Sequence, residues 1–217
     1  MSILLDRHTR VLVQGITGRA GRTQTRWMLD YGTNIVAGVT PGKGGDTVEG
    51  IPVYNTVAEA VKIMGAEASV FFVPPPGVKE AIFQTIDAGI RLIVVVTEHV
   101  PVHDVMEIRE YANGRPVQII GPTSPGVITA GEAKIGIMPA NMFTPGRVGV
   151  ISRSGTLSYE VSINLARGGF GQSTVVGIGA DPVVFTNMPE ILRLFEKDTE
   201  TDLVVVVGEV GVTMAST

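Results

Sequence analysis

Cysteine is absent from this 217-residue chain. That excludes a disulfide framework, a thiolate zinc site and a cysteine nucleophile. Charge is scarce as well: Asp, Glu, Lys and Arg make up 18% of residues, against about 25% in an ordinary globular chain. The formal net charge is −4. No basic excess exists to match a phosphate backbone, so nucleic acid is not an expected partner. Long apolar runs are missing too, and none approaches the ~18 residues of a membrane span. Asp6, Arg7 and Arg10 break the first apolar stretch, so no signal peptide and no membrane partner are expected. Disorder is excluded by a mean hydropathy of +0.30. Glycine, by contrast, is abundant, at 27 residues where the usual share is about 7%. The expectation is a cytoplasmic, glycine-rich α/β protein of one large or two small domains.

Apolar, β-branched runs recur along the chain: Val11–Gln14, Ile35–Val39, Ala68–Val73, Leu92–Thr97, Val117–Ile120, Val148–Ile151, Thr174–Ile178 and Leu203–Val207. Most are continuous rather than alternating, which suits strands covered on both faces of a parallel sheet. Helical patterns lie between them. Thr56 and Glu59 have capping-box spacing before Val57, Ala60, Val61 and Met64. Val78, Ile82 and Ile86 share a face ahead of Gly89; Leu157, Val161 and Leu165 share another ahead of Gly168; Ile191, Leu194 and Phe195 mark a last helix. Repeated βαβ units predict a doubly wound fold.

The stretch from Pro122 to Gly146 breaks the rhythm with Pro122, Pro125, Pro139 and Pro145. It reads as a connection. The expected division is a Rossmann-like domain over 1–121, a connecting segment over 122–146, and a partial flavodoxin-like parallel α/β domain over 147–217. Val204–Val207 is as apolar as a central strand, yet little chain follows it. An open apolar edge is an aggregation hazard, so the second domain reads as incomplete and association is expected.

Two glycine turns stand where strands end and helices begin. Gly15-Ile16-Thr17-Gly18-Arg19-Ala20-Gly21 follows the first strand. Its glycines permit a tight turn, and the helix start offers free N–H groups to a diphosphate. The alternative is a tight turn without a ligand. An NAD site would place an acid near the end of the second strand. Here that strand runs into Thr40-Pro41-Gly42-Lys43-Gly44-Gly45. Lys43 would favour a ligand with an additional phosphate, and NADP and coenzyme A both qualify; a solvated loop charge is the alternative. The second turn, Ser152-Arg153-Ser154-Gly155-Thr156, could hold a phosphate or carboxylate with its amides and hydroxyls. Simple capping by Ser154 is the competing reading. It is not a hydrolase elbow, which would need glycine at position 152.

His8, His99 and His103 offer no metal-binding spacing. With Pro101 between the last two, each reads as a loop histidine, and no metal site is expected. Glu98 and Glu209 follow the C-terminal ends of strands, where open α/β sheets bind ligands; a solvated end-of-strand charge is the alternative for each.

These residues together resemble the α subunit of succinyl-CoA synthetase (succinate–CoA ligase), from Met1 to about Gly211. The carriers are the loop at Gly15–Gly21, Gly38-Val-Thr-Pro-Gly-Lys-Gly-Gly45, Thr97-Glu98, Gly121-Pro122 with Pro125-Gly126-Val-Ile-Thr129, Lys134-Ile-Gly-Ile137, Ser152-Arg-Ser-Gly-Thr156 with Tyr159-Glu160, Gly169-Phe-Gly-Gln-Ser173, and Gly208-Glu209. Malate–CoA ligase, citryl-CoA synthetase and part of ATP-citrate lyase share this plan. The resemblance implies that Thr17, Gly18, Arg19 and Ala20 hold the diphosphate of coenzyme A and Lys43 its phosphorylated nucleotide end. Val96, Thr97 and Glu98 would line the same site. Ser154, Gly155 and Thr156 would meet the phosphate of a phosphohistidine, with Tyr159 near the carboxylate substrate and Glu209 orienting the catalytic histidine. It also implies a β-subunit partner that carries magnesium and ATP or GTP.

The sequence departs from the family in places. The family's phosphohistidine segment, Gly-His-Ala-Gly, lies beyond position 217, and none of the three histidines here aligns with it. Thr123-Ser124 stands where the family usually has Asn-Cys, Ala180 and Phe185 replace glycines, and Gly211-Val212-Thr213 departs from the usual Gly-Gly. Succinate specificity is therefore open, and three other readings stand: a non-catalytic CoA-sensing or scaffold paralogue, a malate–CoA or citrate–CoA ligase subunit, and an NAD(P)-binding module.

Overall fold

A computed structural model describes residues 3–208. The first half runs β1 (Val11–Gln14), α1 (Arg19–Tyr31), β2 (Ile35–Val39), β3 (Thr47–Val48), β4 (Ile51–Tyr54), α2 (Val57–Met64), β5 (Ala68–Phe71), α3 (Val78–Asp87), β6 (Leu92–Val95), α4 (Val102–Ala112) and β7 (Gln118–Ile120). The second half continues with β8 (Gly126–Thr129), β9 (Ala133–Gly136), β10 (Pro145–Ser152), α5 (Gly155–Arg167), β11 (Gln172–Gly177), α6 (Met188–Phe195) and β12 (Leu203–Val207). Two sheets result: seven strands in the order β3-β4-β2-β1-β5-β6-β7, and five in the order β12-β10-β11-β8-β9. The first is parallel apart from the β3–β4 hairpin. This is a Rossmann-like α/β domain followed by a second α/β domain.

The continuous apolar runs are explained by burial on both faces. Along β6, Leu92 and Val94 enter one core while Ile93 and Val95 enter the other. The second of these cores lies against α2, α3 and α4, through Ala60, Ile82 and Ile108. The first spans the two sheets, joining Val13, Met28 and Ile120 to Ile135, Ile151, Val176 and Phe195. A third, smaller cluster covers the outer face of the second sheet with Phe143 and Tyr159 among its members.

The local signals work as their chemistry requires at several helix ends. Thr56 Oγ accepts from the Glu59 N–H at 3.2 Å, while the Glu59 carboxylate takes the Asn55 N–H rather than that of Thr56. At α6 the Asn187 side chain and Glu190 form a reciprocal capping box, which the sequence reading overlooked.

Four expectations are corrected. The segment over 122–146, read as a connection from its prolines, carries β8 and β9. This hairpin pairs antiparallel with β11 and so makes the second sheet mixed rather than parallel. The strands escaped notice because each is only four residues long and glycine opens one and closes the other. Gly126 and Gly136 face each other there, and a Cβ on Gly136 would lie 2.7 Å from the Gly126 Cα. The β3–β4 hairpin was also missed, since Pro52 breaks its apolar pattern. On α5 the buried residues are Ser158 and Ser162, not the Leu157–Val161–Leu165 stripe, and Leu157 is 47% exposed. His103 is helical, in the first turn of α4, because Pro101 precedes the helix instead of interrupting it. As anticipated, β12 is an edge strand among the described residues, with Leu203 and Val206 exposed.

One tripeptide ties the sheets together. After the cis Gly121–Pro122 bond, the Thr123 N–H donates to Thr97 O and the Ser124 N–H to Val95 O, both at the end of β6. The buried Ser124 hydroxyl donates to Gly177 O at the end of β11 (2.5 Å) and accepts from the Gly126 N–H (3.0 Å). Replacing Ser124 with alanine removes both partners of buried backbone groups, at a cost of about 1–3 kcal/mol. Urea denaturation of Ser124→Ala is expected to show a lower midpoint with an unchanged slope.

Lys134 on β9 is 1% exposed, and burial lowers its pKa from 10.5 to about 8. Between those values the unfolded chain binds the proton that the folded chain has released, so stability rises with pH through that window. The stability gap between the wild type and Lys134→Met is expected to narrow as urea titrations move from pH 8 to pH 10.

Candidate functional site

The order of the first sheet reverses at β1, which has β2 on one side and β5 on the other. In open α/β sheets a ligand crevice opens at such a reversal, beyond the carboxyl ends of the strands. The loops at that end are 15–21 after β1, 40–46 after β2, 72–74 after β5 and 96–98 after β6.

The first of these is pinned by its glycines. Gly15 has φ +72°, and a Cβ there would stand 2.5 Å from Phe72 O. A Cβ on Gly21 would collide with Gly15 O. The Gly18 N–H donates to Gly15 O (3.0 Å) and Arg22 Nε donates to Thr17 O (3.0 Å), closing the turn. Gly18 caps α1 without any side-chain hydrogen bond, and the first turn holds no acid. The amides of Arg19, Ala20 and Gly21 are therefore left to a ligand, with the positive end of the helix dipole behind them. Thr17, half-buried, donates from its hydroxyl to Thr40 Oγ1 (3.2 Å), and Gly18, Arg19 and Ala20 are exposed.

Thr40 is the hinge to the next loop, since its carbonyl accepts the Lys43 N–H (3.0 Å). Asn55 shapes that loop from the end of β4: its Oδ1 accepts from the Gly42 and Gly44 N–H groups at 3.0 and 2.9 Å. The structure thus brings Thr17–Ala20 and Lys43 to one side of the crevice, with Lys43 exposed. Across it, Thr97 Oγ1 donates to Val73 O (2.8 Å), fixing the turn after β6 to the turn after β5. Val96 is half-buried against the core and Glu98 is exposed. His99 beside it has φ +60°. Thr40 stands in the quoted Gly38–Gly45 segment without being singled out there, and Asn55 carries no motif of its own. The signal that could have found Asn55 is its place at the end of the unrecognised β4.

The second turn sits at the end of β10. Ser152 Oγ donates to Ser154 O (2.6 Å) and accepts the Ser154 N–H (3.1 Å), so it is consumed in the turn. Ser154 Oγ caps α5 by accepting the Leu157 N–H at 3.4 Å. Gly155 and Thr156 follow at the helix start, with no acid in the first turn. Gly155 lies against Pro125, whose ring is 3.6 Å from where its Cβ would be. Thr97, Thr123–Pro125 and Gly155 thus form a continuous path from the first crevice to the second turn.

Two polar atoms along that path are buried and have no hydrogen-bond partner: Thr123 Oγ1 and Arg153 Nε. Thr123 holds φ +53°. Arg153 uses its Nη2 on Asp181 O. Neither was singled out as a binding residue from the sequence, where Thr123 appeared only as a departure. Tyr159 is half-buried, stacks edge-on with Phe143 (centroids 6.2 Å apart), and burial raises its pKa. Glu209 lies outside the described residues.

His103 Nδ1 lies 2.8 Å from Glu107 Oε1, and the group His103, Asp104 and Glu107 has metal-ligand spacing. Lys79 already occupies it, 2.7 Å from Asp104 and 3.2 Å from Glu107. A cavity of about 570 Å³ lies away from both turns, along β7 between α4 and Phe185–Thr186. No helix among the described residues is long and apolar enough to cross a membrane.

Known proteins share the sequence families and the fold. Residues 6–99 match the family of the CoA binding domain and residues 151–217 that of the CoA-ligase. The fold is shared with ATP citrate lyase from Methanothrix soehngenii in complex with citrate and coenzyme A: TM-score 0.83, 24% identity, 94% of this chain and 36% of that one. It is shared too with the dinucleotide-forming acetyl-coenzyme A synthetase 1 of Ca. Korarchaeum cryptofilum: TM-score 0.75, 22% identity, 92% of this chain and 44% of that one. The chain thus spans well under half the length of these solved structures. In sequence it is 52% identical over 211 residues to the α subunits of the ADP-forming succinate–CoA ligases of Staphylococcus epidermidis and Staphylococcus aureus, covering 97% of itself and 70% of each relative. With the first crevice inside the CoA-binding match and the Ser154 turn inside the ligase match, the chain belongs to the family of succinate–CoA ligase α subunits.

Proposed function

We propose that this chain is the CoA-binding part of a nucleotide-dependent acid–CoA ligase. The whole enzyme would convert succinate, CoA and a nucleoside triphosphate to succinyl-CoA, the nucleoside diphosphate and phosphate. The observation that carries this reading is the uncapped start of α1 at the reversal of the first sheet. Three free amides, the helix dipole and the absence of any acid suit a diphosphate. Thr17, Gly18, Arg19 and Ala20 take the CoA diphosphate. Lys43, three residues beyond Thr40, takes the phosphate on the nucleotide end. Val96, Thr97 and Glu98 line the pantetheine side, and the orphan hydroxyl of Thr123 lies along the route to the second turn.

In the same reading Ser154, Gly155 and Thr156 receive a phosphate carried on histidine, and Tyr159 faces the carboxylic acid. Glu209 orients that histidine. A β subunit supplies ATP or GTP with magnesium, and the assembly works in the cytoplasm. The division into a CoA-binding domain over 1–121 and a ligase domain follows the two turns, with β8 and β9 counted in the second sheet. Phosphorylation of histidine needs a residue that none of His8, His99 and His103 supplies. His99 and His103 stand at the start of α4, beside the first sheet.

Calorimetric titration with CoA, dephospho-CoA and NADH tests the first half. Micromolar CoA binding is expected, weaker for dephospho-CoA, with no comparable NADH binding. Lys43 is exposed, so its contact with a phosphate is worth about 1 kcal/mol. Lys43→Ala should weaken CoA about fivefold and leave dephospho-CoA unchanged. Binding of NADH without CoA would overturn the assignment.

Incubation of the 217-residue chain with ATP, magnesium and the β subunit of a relative tests the second half. No acid-labile phosphate is expected on this chain, and its appearance would show that one of the three histidines is phosphorylated after all.

A further inference from the structure

Lys43 is the shared corner of two consecutive turns. In the first, the Lys43 N–H donates to Thr40 O (3.0 Å). Pro41 and Gly42, the latter at φ +77°, take the central positions, the pair that a type II turn favours. In the second, the Asp46 N–H donates to Lys43 O (3.1 Å), around Gly44 and Gly45, the latter at φ +92°. Both backbone groups of Lys43 are therefore bonded. The Gly45 N–H donates to Val53 O (2.9 Å), which ties the second turn to β4.

The inside of this double turn is filled by one side chain from beyond it. Asn55 Oδ1 accepts the Gly42 N–H (3.0 Å) and the Gly44 N–H (2.9 Å), the amides on either side of Lys43. The fit is close, since a Cβ on Gly44 would lie 2.3 Å from Asn55 Nδ2. Asn55 is placed in turn by the start of α2. Its N–H donates to the Glu59 carboxylate (3.3 Å), and the Glu59 N–H is held by the Thr56 cap. The start of a helix thus fixes a loop that lies before the β3–β4 hairpin. The Lys43 side chain, by contrast, is exposed, with no ion pair or side-chain hydrogen bond among the described residues. A lysine on a slack loop loses backbone and rotamer freedom when it meets an anion. Here the backbone is already ordered, and only the stem remains to be fixed.

We propose that Asn55 is the positioning residue for Lys43, and that it sets the preference of the first crevice for a nucleotide with an additional phosphate over the same nucleotide without it. The proposal rests on the CoA reading above and deepens it. Asn55 makes no contact with the ligand through its oxygen, whose two lone pairs are used by the two amides. It acts through the loop. Without it the Gly42 and Gly44 N–H groups turn to water, the ammonium ranges over a wider volume, and its pairing with the phosphate weakens. The diphosphate end is unaffected, because Thr40, which meets Thr17, is held separately by its N–H on Tyr54 O (3.1 Å).

Calorimetric titrations of the 217-residue chain with CoA and dephospho-CoA compare the wild type, Asn55→Ala, Lys43→Ala and the double variant. Asn55→Ala is expected to weaken CoA about threefold, most of the loss caused by Lys43→Ala, and to leave dephospho-CoA unchanged. In the Lys43→Ala background Asn55→Ala should add no further loss, because both act on one contact. Gly44→Ala is an independent route: its methyl group displaces the Asn55 amide and should lower the preference for CoA in the same way. A purely structural role would lower the thermal midpoint and both affinities together. Equal losses for the two ligands, an unchanged preference in both single variants at positions 44 and 55, or additive losses in the double variant would each overturn the proposal and leave the CoA reading standing. A wild type that does not prefer CoA to dephospho-CoA would overturn the role of Lys43 itself, and this proposal with it.

Discussion

The functional geometry of this chain hangs on the Ser124 hydroxyl. It is buried and bonds to the ends of β11 and β8, while the backbone N–H of the same residue bonds to the end of β6. The N–H groups of Thr123 and Ser124 bond to Thr97, just beyond β6, and to Val95, its last residue, and the hydroxyl bonds to the last residue of β11. Both sheets therefore present their carboxyl ends toward one short stretch of chain. The two glycine turns are built at those ends, joined by the Thr123–Pro125 bridge and by the apolar core that the two sheets share.

The two turns share a design and differ in one detail. Each follows a strand, opens a helix and lacks an acid in the first helical turn. The first helix begins with glycine and leaves its amides open. The second begins with Ser154, which satisfies one amide itself at 3.4 Å, a long hydrogen bond. The open end has amides free for an anion, whereas an anion at the second would compete with the Ser154 cap.

Much of this was legible in the sequence, and for identifiable reasons. Eight apolar runs marked eight strands, seven of them largely buried along the run and the eighth, β12, a partly exposed edge. The first glycine loop was readable because Gly15 and Gly21 are sterically compelled. The hairpins β3–β4 and β8–β9 were not legible. Their strands are two to four residues long and broken by proline or glycine, so no period can register. The tertiary partners were invisible for another reason. Nothing local to Asn55 or Thr40 says that they fold the Lys43 loop, and nothing near Ser124 says that its hydroxyl meets β11. On α5, small serines rather than leucines face the sheet, so the apolar stripe pointed the wrong way.

Phe185 has a consequence for how the molecule comes apart. It follows β11 in the chain, yet it is buried in the core of the first sheet, in the same cluster as Val95, Val100 and Ile119. Its N–H donates to Gly121 O (2.8 Å), and the Thr186 hydroxyl donates to Ile119 O (2.5 Å), along the otherwise open edge of β7. The first sheet thus borrows a stopper and an edge cover from sequence that belongs to the second. The halves therefore share an interior, and cutting the chain between them would expose an apolar socket on one piece and a bare phenylalanine on the other.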